Sequence, residues 1–121
     1  MDLETETIGA NGLPQKNRYE FKSYGKNTEL TQVGQLIGYV RGADNLQSFK
    51  YVFDGSKLNE SQAKAKMKTF LMRNKAAVFE AIKGNENLKK SMVGEAGLFL
   101  SVDDFTPDMI QTMVNNIVEV F

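Results

Sequence analysis

The residues that could carry chemistry lie close together in the run Arg18-Tyr19-Glu20-Phe21-Lys22-Ser23-Tyr24. Successive side chains of a β-strand point to opposite faces, so a strand here would place Glu20 and Lys22 side by side on one face. A carboxylate is a hard oxygen ligand suited to Mg²⁺, which binds through one or two protein carboxylates, waters and a substrate phosphate. A neighbouring lysine can polarise an attacking water or stabilise charge that builds on a phosphate. The pair therefore suits metal-assisted hydrolysis of a phosphate ester.

The same pair also has a purely structural interpretation. Glu-x-Lys pairs are common on solvated strand faces, where an exposed ion pair stabilises a protein by little. If Glu20 holds a metal ion, Glu20→Ala should abolish Mg²⁺-dependent cleavage and leave the melting temperature nearly unchanged, because an exposed strand glutamate stabilises little.

A second polar pair follows on the next predicted helix, where Gln35 and Tyr39 are one turn apart. Glu20-x-Lys22 on a strand, followed by a helix carrying Gln35-Leu36-x-x-Tyr39, resembles the PD-(D/E)XK (restriction-endonuclease-like) nuclease superfamily. Within that superfamily it is similar to the toxin domains at the C-termini of bacterial polymorphic toxins. The resemblance covers roughly residues 2–54 and implies metal-dependent hydrolysis of phosphodiester bonds, in DNA before RNA, with Mg²⁺ or Mn²⁺ as the cofactor.

The resemblance implies a metal site at the first two strands. Asp2 and Glu20 would hold the metal ion, and the carbonyl group of Phe21 would add a ligand. The sequence has no Pro-Asp and no helix before its first strand, in which it departs from the family pattern. This departure is consistent with an excised C-terminal part of a larger protein.

The resemblance also implies roles for the remaining matched residues and for partners. Lys22 would assist the attacking water, Gln35 would orient that water or the phosphate, and Tyr39 would contact the nucleic acid. The protein would be a bacterial toxin, secreted or delivered into the cytoplasm of a competing cell, and neutralised there by a cognate immunity protein.

Composition bounds the class of protein. The chain has 121 residues, of which 41% are hydrophobic, which suits a single domain over residues 1–121 with one core. It contains no His and no Cys, which excludes thiol proteases, His-based triads and His/Cys zinc sites. No apolar run approaches the roughly 20 residues of a membrane-spanning helix, and the acidic start is unlike a signal peptide. We therefore expect no membrane partner.

Charge is distributed unevenly although the formal net charge is zero. Nine basic and three acidic residues lie between Lys57 and Lys90, whereas from Ser91 onward there are five acidic residues and no basic one. A local basic surface attracts phosphate even on a neutral protein. We expect contacts to the nucleic-acid backbone from one face of a helix, formed by Lys64, Lys68 and Lys75. The alternative for this charge run is a solvated helix face.

The pattern of elements predicts an α/β fold with a mixed sheet, a hairpin start, a crossover helix and two further packing helices. The predicted hairpin pairs Asp2–Ile8 with Lys16–Tyr24, and the helix from Glu29 to Arg41, capped by Thr28, leads to a parallel strand at Ser48–Phe53. Later elements are a helix from about Asn59 to Ile82, a buried strand at Leu98–Val102, and a helix that opens at Thr106-Pro107 and buries a stripe ending at Phe121.

Three glycines fall on one line of the crossover helix, at Gly34, Gly38 and Gly42. Each costs up to about 1 kcal/mol of helix stability relative to alanine. The line therefore predicts close approach of the sheet to this side of the helix.

A function from another class remains open. The chain could be a non-catalytic module, such as an immunity or adaptor protein, that uses its acidic C-terminal third as a contact surface. A degenerate nuclease fold that only binds nucleic acid is a third alternative. Zero net charge and the absent Pro-Asp favour a binding module, whereas Glu20-x-Lys22 together with Gln35 favours a nuclease.

Overall fold

The computed structural model describes residues 3–8, 14–22, 30–94, 97 and 99–121. Over these residues the chain is mixed α/β, so the predicted class is confirmed. The elements, in chain order, are β1 (Leu3–Ile8), β2 (Pro14–Lys22), α1 (Val33–Gly42), β3 (Phe49–Phe53), α2 (Glu60–Arg73), α3 (Lys75–Lys83), α4 (Glu86–Val93), a 3₁₀ turn (Val102–Asp104), α5 (Pro107–Ile117) and β4 (Val118–Val120).

The strands form one sheet in the order β1-β2-β3-β4. β1 is antiparallel to β2, whereas β2, β3 and β4 are parallel to one another. The parallel register aligns Glu20 with Tyr51, and Tyr51 with Val118. Since aligned residues of neighbouring strands point to the same face, these three side chains lie on one side of the sheet.

The crossover helix α1 packs its apolar stripe inward. Its buried residues are Leu36, Tyr39 and Val40, which recur at helical spacing. The helix begins at Val33, and the predicted cap Thr28 lies outside the described residues.

The C-terminus of α1 is held by one side chain from the start of α4. Asn85 Nδ2 donates hydrogen bonds to the carbonyl oxygens of Val40 at 2.8 Å and Ala43 at 2.7 Å. Asn85 Oδ1 accepts the Leu88 N–H at 3.2 Å and so caps α4. A single residue therefore satisfies the end of one helix and the start of another.

The prediction that the sheet approaches the glycine line is wrong. Gly34, Gly38 and Gly42 are exposed, and no heavy atom within the described part of the chain lies within 4 Å of the place a Cβ would take at Gly34 or Gly38. The buried stripe through Leu36 and Val40 faces the other way, because residues advance by about 100° around a helix.

The predicted long helix to Ile82 is also wrong, because it is broken into α2 and α3. Both the backbone N–H and the side-chain Nδ2 of Asn74 donate to the carbonyl of Phe70, at 3.2 and 2.9 Å. Asparagine side chains compete with the backbone for such bonds, which favours helix ends. At the other end of α2, Asn59 and Gln62 form the reciprocal bonds of a capping box.

The predicted buried strand at Leu98–Val102 is wrong over its described residues, 99–102, which form no strand. Leu98 lies outside the described residues. The carboxylate of Asp104 accepts the N–H groups of Leu100 and Ser101, at 2.8 and 3.1 Å. These bonds fold the segment into a tight turn that precedes α5, and they leave Leu100 70% exposed.

The last strand of the sheet is β4, where the sequence predicted the end of a helix. The start of that helix is confirmed, since Thr106 Oγ1 accepts the Met109 N–H at 3.2 Å and Pro107 occupies the first turn. The helix ends at Ile117, and alternating Val118-Glu119-Val120 pairs with β3 instead. Phe121, predicted to be buried, is exposed.

The helices and the sheet enclose one apolar core. α2 lies against α5 and β4, and α1 lies against α3. The ring of Phe99 packs against those of Phe79 and Phe105, at centroid distances of 4.8 and 5.9 Å. None of the described helices is both long enough and apolar enough to cross a membrane.

Candidate functional site

The Glu20–Lys22 pair lies buried beneath α1. Only 6% of Glu20 and 7% of Lys22 is exposed, and Lys22 Nζ stands 3.3 Å from Glu20 Oε1. Strand alternation places both on the face aligned with Tyr51, as predicted. The interpretation of the pair as a solvated strand face is wrong, because α1 covers this face of the sheet.

Helix α1 adds two residues to this pair. Tyr39 donates its hydroxyl hydrogen bond to Glu20 Oε2 at 2.7 Å, and Lys22 Nζ donates to Gln35 Oε1 at 3.4 Å. Residues four apart on a helix project from the same side, so α1 presents Gln35 and Tyr39 together to β2. The structure thus brings together the four residues on which the resemblance depends, and we call them the Glu20 cluster.

Tyr39 is the residue of the cluster that the resemblance assigns to nucleic-acid contact. Its side chain is buried, and its hydroxyl is bonded to a carboxylate. The structure therefore places Tyr39 as a support for Glu20. Gln35 is half-buried and Gln32 is exposed.

The surroundings keep Glu20 ionised. Burial raises the pKa of its carboxyl group, but the hydrogen bond from Tyr39, together with the hydrogen bond and charge of Lys22, lowers the pKa more. The resulting pKa lies below the ordinary value of 4.5. At neutral pH the cluster therefore contains a carboxylate that is ionised and faces a cation.

Aromatic rings pack against the Glu20 cluster, a contact that the sequence pattern hardly indicates. The Tyr39 ring lies 5.8 Å from the ring of Phe49 and 6.1 Å from that of Tyr51. Lys22 Nζ stands 5.9 Å from the centroid of Tyr51. Only the register, which aligns Tyr51 with Glu20 across the parallel pair, could have connected this residue to the site.

The described residues hold part of what a metal site needs. Among them there is no group of three or more acidic side chains that could bind a metal ion. Mg²⁺ can bind through a single carboxylate with waters and phosphate, and an ionised carboxylate offers about four lone-pair positions. Glu20 is an ionised carboxylate with two oxygens, so it fits the role of that carboxylate.

The expected backbone ligand is the carbonyl of Phe21, the residue after Glu20 in β2. The carbonyl of Lys22 accepts the Asp54 N–H of β3 at 3.2 Å. Neighbouring carbonyls along a strand point to opposite sides, so the Phe21 carbonyl points toward β1. Asp2, the other expected ligand, lies outside the described residues.

The lysine group predicted to bind nucleic acid does not form one line. Lys64 and Lys68 are on α2, whereas Lys75 begins α3 after the break. Lys64 Nζ is paired with Glu60 Oε1 at 2.9 Å. Since α2 packs on α5 and β4, and β3 lies between β4 and β2, the α2 lysines are not part of the Glu20 cluster.

Comparisons with known proteins do not extend this description. No family model, no curated protein and no solved structure matches the chain. The function must therefore be argued from the Glu20 cluster and its surroundings.

Proposed function

We propose that this chain is a metal-dependent nuclease of the restriction-endonuclease-like type, which hydrolyses phosphodiester bonds in DNA, or else in RNA. The observation that carries the proposal is the convergence of Glu20 and Lys22 on β2 with Gln35 and Tyr39 on α1. These residues come from two segments up to 19 positions apart. The hairpin, the helix and the parallel strand that follow in order agree with the same assignment.

Two residues of the cluster would act on the phosphate and the attacking water. Lys22 carries a positive charge that can stabilise negative charge building on the phosphate, or polarise the water. Because Gln35 Oε1 accepts from Lys22, its amide nitrogen is turned away and can donate to a phosphate oxygen or to the water.

Two further residues would form the metal-binding part of the site. Glu20 would hold the metal ion with the Phe21 carbonyl and Asp2, and that ion, Mg²⁺ or Mn²⁺, supplies charge stabilisation and a more acidic water when bound. Tyr39 fixes the orientation of the Glu20 carboxylate through the 2.7 Å bond. The low pKa of Glu20 keeps the carboxylate ionised as a ligand.

A plasmid-nicking assay tests the proposal directly. We expect nicking with Mg²⁺ and none with EDTA. Gln35→Ala removes only a half-buried amide and should lose cleavage while remaining folded. Glu20→Gln keeps the shape and an acceptor for Tyr39 but removes the charge that faces Lys22, so it should lose cleavage at a reduced melting temperature. The control Gln32→Ala changes an exposed amide on the same helix and should cleave normally. A parent protein that never nicks DNA or RNA under these conditions would refute the proposal.

The lysine group is proposed to bind the nucleic-acid backbone away from the cluster. Lys68 and Lys75 are the informative residues, since Lys64 is already paired with Glu60. For every lysine–phosphate interaction that a Gln substitution removes, the slope of log K against log salt should fall by about 0.7 to 0.9. Binding would be measured in the Glu20→Gln background, with Lys66→Gln as the control. An unchanged slope would show that these lysines do not contact phosphates and form only a solvated face.

We further propose that the nuclease serves as an antibacterial toxin domain, neutralised by an immunity protein after delivery into a competing cell. The resemblance supports this role, and the lack of cysteine suits a domain that unfolds and refolds in transit. Expression of the parent chain in a bacterial cytoplasm should arrest growth and degrade DNA. The folded Gln35→Ala variant should be harmless. If expression of the parent chain does not slow growth, the toxin role is refuted, whereas the nicking assay still decides whether the chain is a nuclease.

One observation favours the rival function, a non-catalytic binding module. The cluster balances a buried carboxylate with a buried ammonium, which is a self-sufficient arrangement for a core. In that case the acidic residues of the last third, such as Asp103, Asp108 and Glu119, would face a partner protein. The nicking assay separates the two functions.

A further inference from the structure

Tyr51 lies beside three residues of the Glu20 cluster, namely Glu20, Lys22 and Tyr39. The residue is 1% exposed, and β-sheet register places it beside Glu20. Its ring lies 5.9 Å from Lys22 Nζ and meets the Tyr39 ring edge to face at 6.1 Å. One aromatic ring therefore lies against Lys22 and Tyr39, which both donate hydrogen bonds to the Glu20 carboxylate.

We propose that Tyr51 is a positioning residue, whose ring fixes the Lys22 ammonium group against Glu20 and Gln35. A lysine side chain has a flexible four-carbon stem, so a buried ammonium needs more than one partner to hold one position. A cation within about 6 Å of an aromatic centroid is attracted to the ring, most strongly where water is excluded. The 5.9 Å distance and the burial of both residues meet these conditions.

The contact with Tyr39 extends this role to the other carboxylate oxygen. The edge-to-face packing of the two rings restricts where the Tyr39 hydroxyl can point. Loss of the Tyr51 ring should therefore loosen both bonds to Glu20, the one from Lys22 and the one from Tyr39. Its catalytic consequence depends on the proposed nuclease function, whereas its effect on the Glu20 carboxyl group does not.

Phe49 offers a matched control. It lies on the same strand and the same face as Tyr51, is equally buried, and packs its ring on Tyr39 at 5.8 Å. It is aligned with Arg18, two strand positions from Glu20 and four from Lys22. Phe49→Leu thus leaves a comparable cavity beside Tyr39 without removing the ring beneath Lys22.

The first experiment measures the pKa of Glu20 by NMR titration of its side-chain carboxyl carbon. In Tyr51→Leu the pKa should rise relative to the parent, because the two lowering interactions weaken while burial remains. Tyr51→Phe, which keeps the ring, should stay close to the parent, and Phe49→Leu should shift the pKa by less than Tyr51→Leu. An unchanged pKa in Tyr51→Leu, or an equal rise in Phe49→Leu, would overturn the proposal. So would an equal rise in Tyr51→Phe, because the hydroxyl group would then matter instead of the ring.

A second series covers the case in which Tyr51→Leu does not fold. Phenylalanines with increasing fluorination at position 51 keep the ring shape while weakening its attraction for a cation. The pKa of Glu20 should rise stepwise along this series, and a flat series would refute the role of the ring.

The catalytic readout is the rate of plasmid nicking with Mg²⁺. Tyr51→Leu should reduce kcat by on the order of tenfold or more, with KM nearly unchanged, since the ring acts on Lys22 and not on substrate binding. Tyr51→Phe should restore most of the rate. If the parent does not nick at all, the proposed function fails, and the carboxyl titration still decides the role of Tyr51.

Discussion

Replacing Glu20 by alanine is the most informative perturbation of stability in this protein. Glu20 holds Lys22 at 3.3 Å and Tyr39 at 2.7 Å. Alanine removes both acceptors and leaves the ammonium of Lys22 and the hydroxyl of Tyr39 beneath α1. The sequence alone predicted almost no change in melting temperature, because it treated Glu20 as exposed.

The expected loss follows from burial. Removing one partner of a buried ion pair costs about 3 to 5 kcal/mol, because an uncompensated charge remains. We expect a value near 3 kcal/mol, since Lys22 retains the bond to Gln35 and the ring of Tyr51. For a domain of this length such a loss corresponds to a fall in Tm of about 10 °C.

The pair formed by Lys64 and Glu60 is the matched control. Its Nζ–Oε1 distance is shorter, 2.9 Å against 3.3 Å, but the Glu60 side chain is 69% exposed. Exposed pairs of this helical spacing contribute about 0.3 to 0.5 kcal/mol. Burial and not distance should therefore decide which alanine variant loses stability.

Urea unfolding at pH 7 measures both effects. We expect Glu20→Ala to lower the midpoint with an unchanged slope, and Glu60→Ala to move it little. The double variant Glu20→Leu with Lys22→Leu should recover most of the loss, because an apolar pair carries no desolvation cost. A loss below about 1 kcal/mol in Glu20→Ala, the range of exposed pairs, would refute the reasoning.

Three further outcomes are expected. Gly38→Ala should stabilise the protein by up to about 1 kcal/mol in thermal melts, because no described atom obstructs a Cβ there; a lower melting temperature would contradict this. The pKa of Glu20 is lowered in the folded protein, so the stability it contributes is present above its unfolded pKa of 4.5 and is lost as pH falls through the folded value. Glu20→Gln should flatten that part of the stability profile in acid urea titrations, and an unaltered profile would count against this assignment. Asn85→Ala should lower the free energy of unfolding by about 2 kcal/mol, because it removes the cap of α4 and the bonds to Val40 and Ala43. Urea unfolding measures this loss, and an equal loss in Asn87→Ala, a variant of an exposed neighbour, would disprove the prediction.

The first half of the fold was predictable because local and long-range signals agree there. The alternation around Glu20, the helical spacing of Leu36 and Val40, and the aromatic strand at Phe49–Phe53 each predict one kind of element. A helix between two strands then requires them to be parallel. The same alternation placed Glu20 and Lys22 on one face.

Burial of the site could not be predicted from these patterns. Alternation says that Glu20 and Lys22 share a face, but not whether a helix covers that face. Tyr39 looks equally polar on a helical wheel whether its hydroxyl meets water or a carboxylate. Only the packing of α1 on the sheet shows that Tyr39 and Gln35 meet the pair.

The predictions for the second half of the chain were wrong where polar side chains compete with the backbone for hydrogen bonds. Nothing in the apolar spacing to Ile82 marks the break, because Asn74 ends α2 by bonding the carbonyl of Phe70. Asp104 similarly takes the N–H groups that a strand at Leu100 would need. In both places a single polar side chain overrides a hydrophobic pattern that favours a longer element.

The coupling within the Glu20 cluster determines which variants can separate chemistry from folding. Lys22→Met removes the buried positive charge that faces the Glu20 carboxylate, so it should weaken the fold along with any activity. Gln35 is the least coupled member, because it is half-buried and joined to Lys22 by a 3.4 Å bond, so its removal should cost no more than about 1 kcal/mol. Lost nicking in Gln35→Ala at nearly full stability would therefore indicate chemistry in this cluster, in a way that loss in Glu20→Ala or Lys22→Met could not.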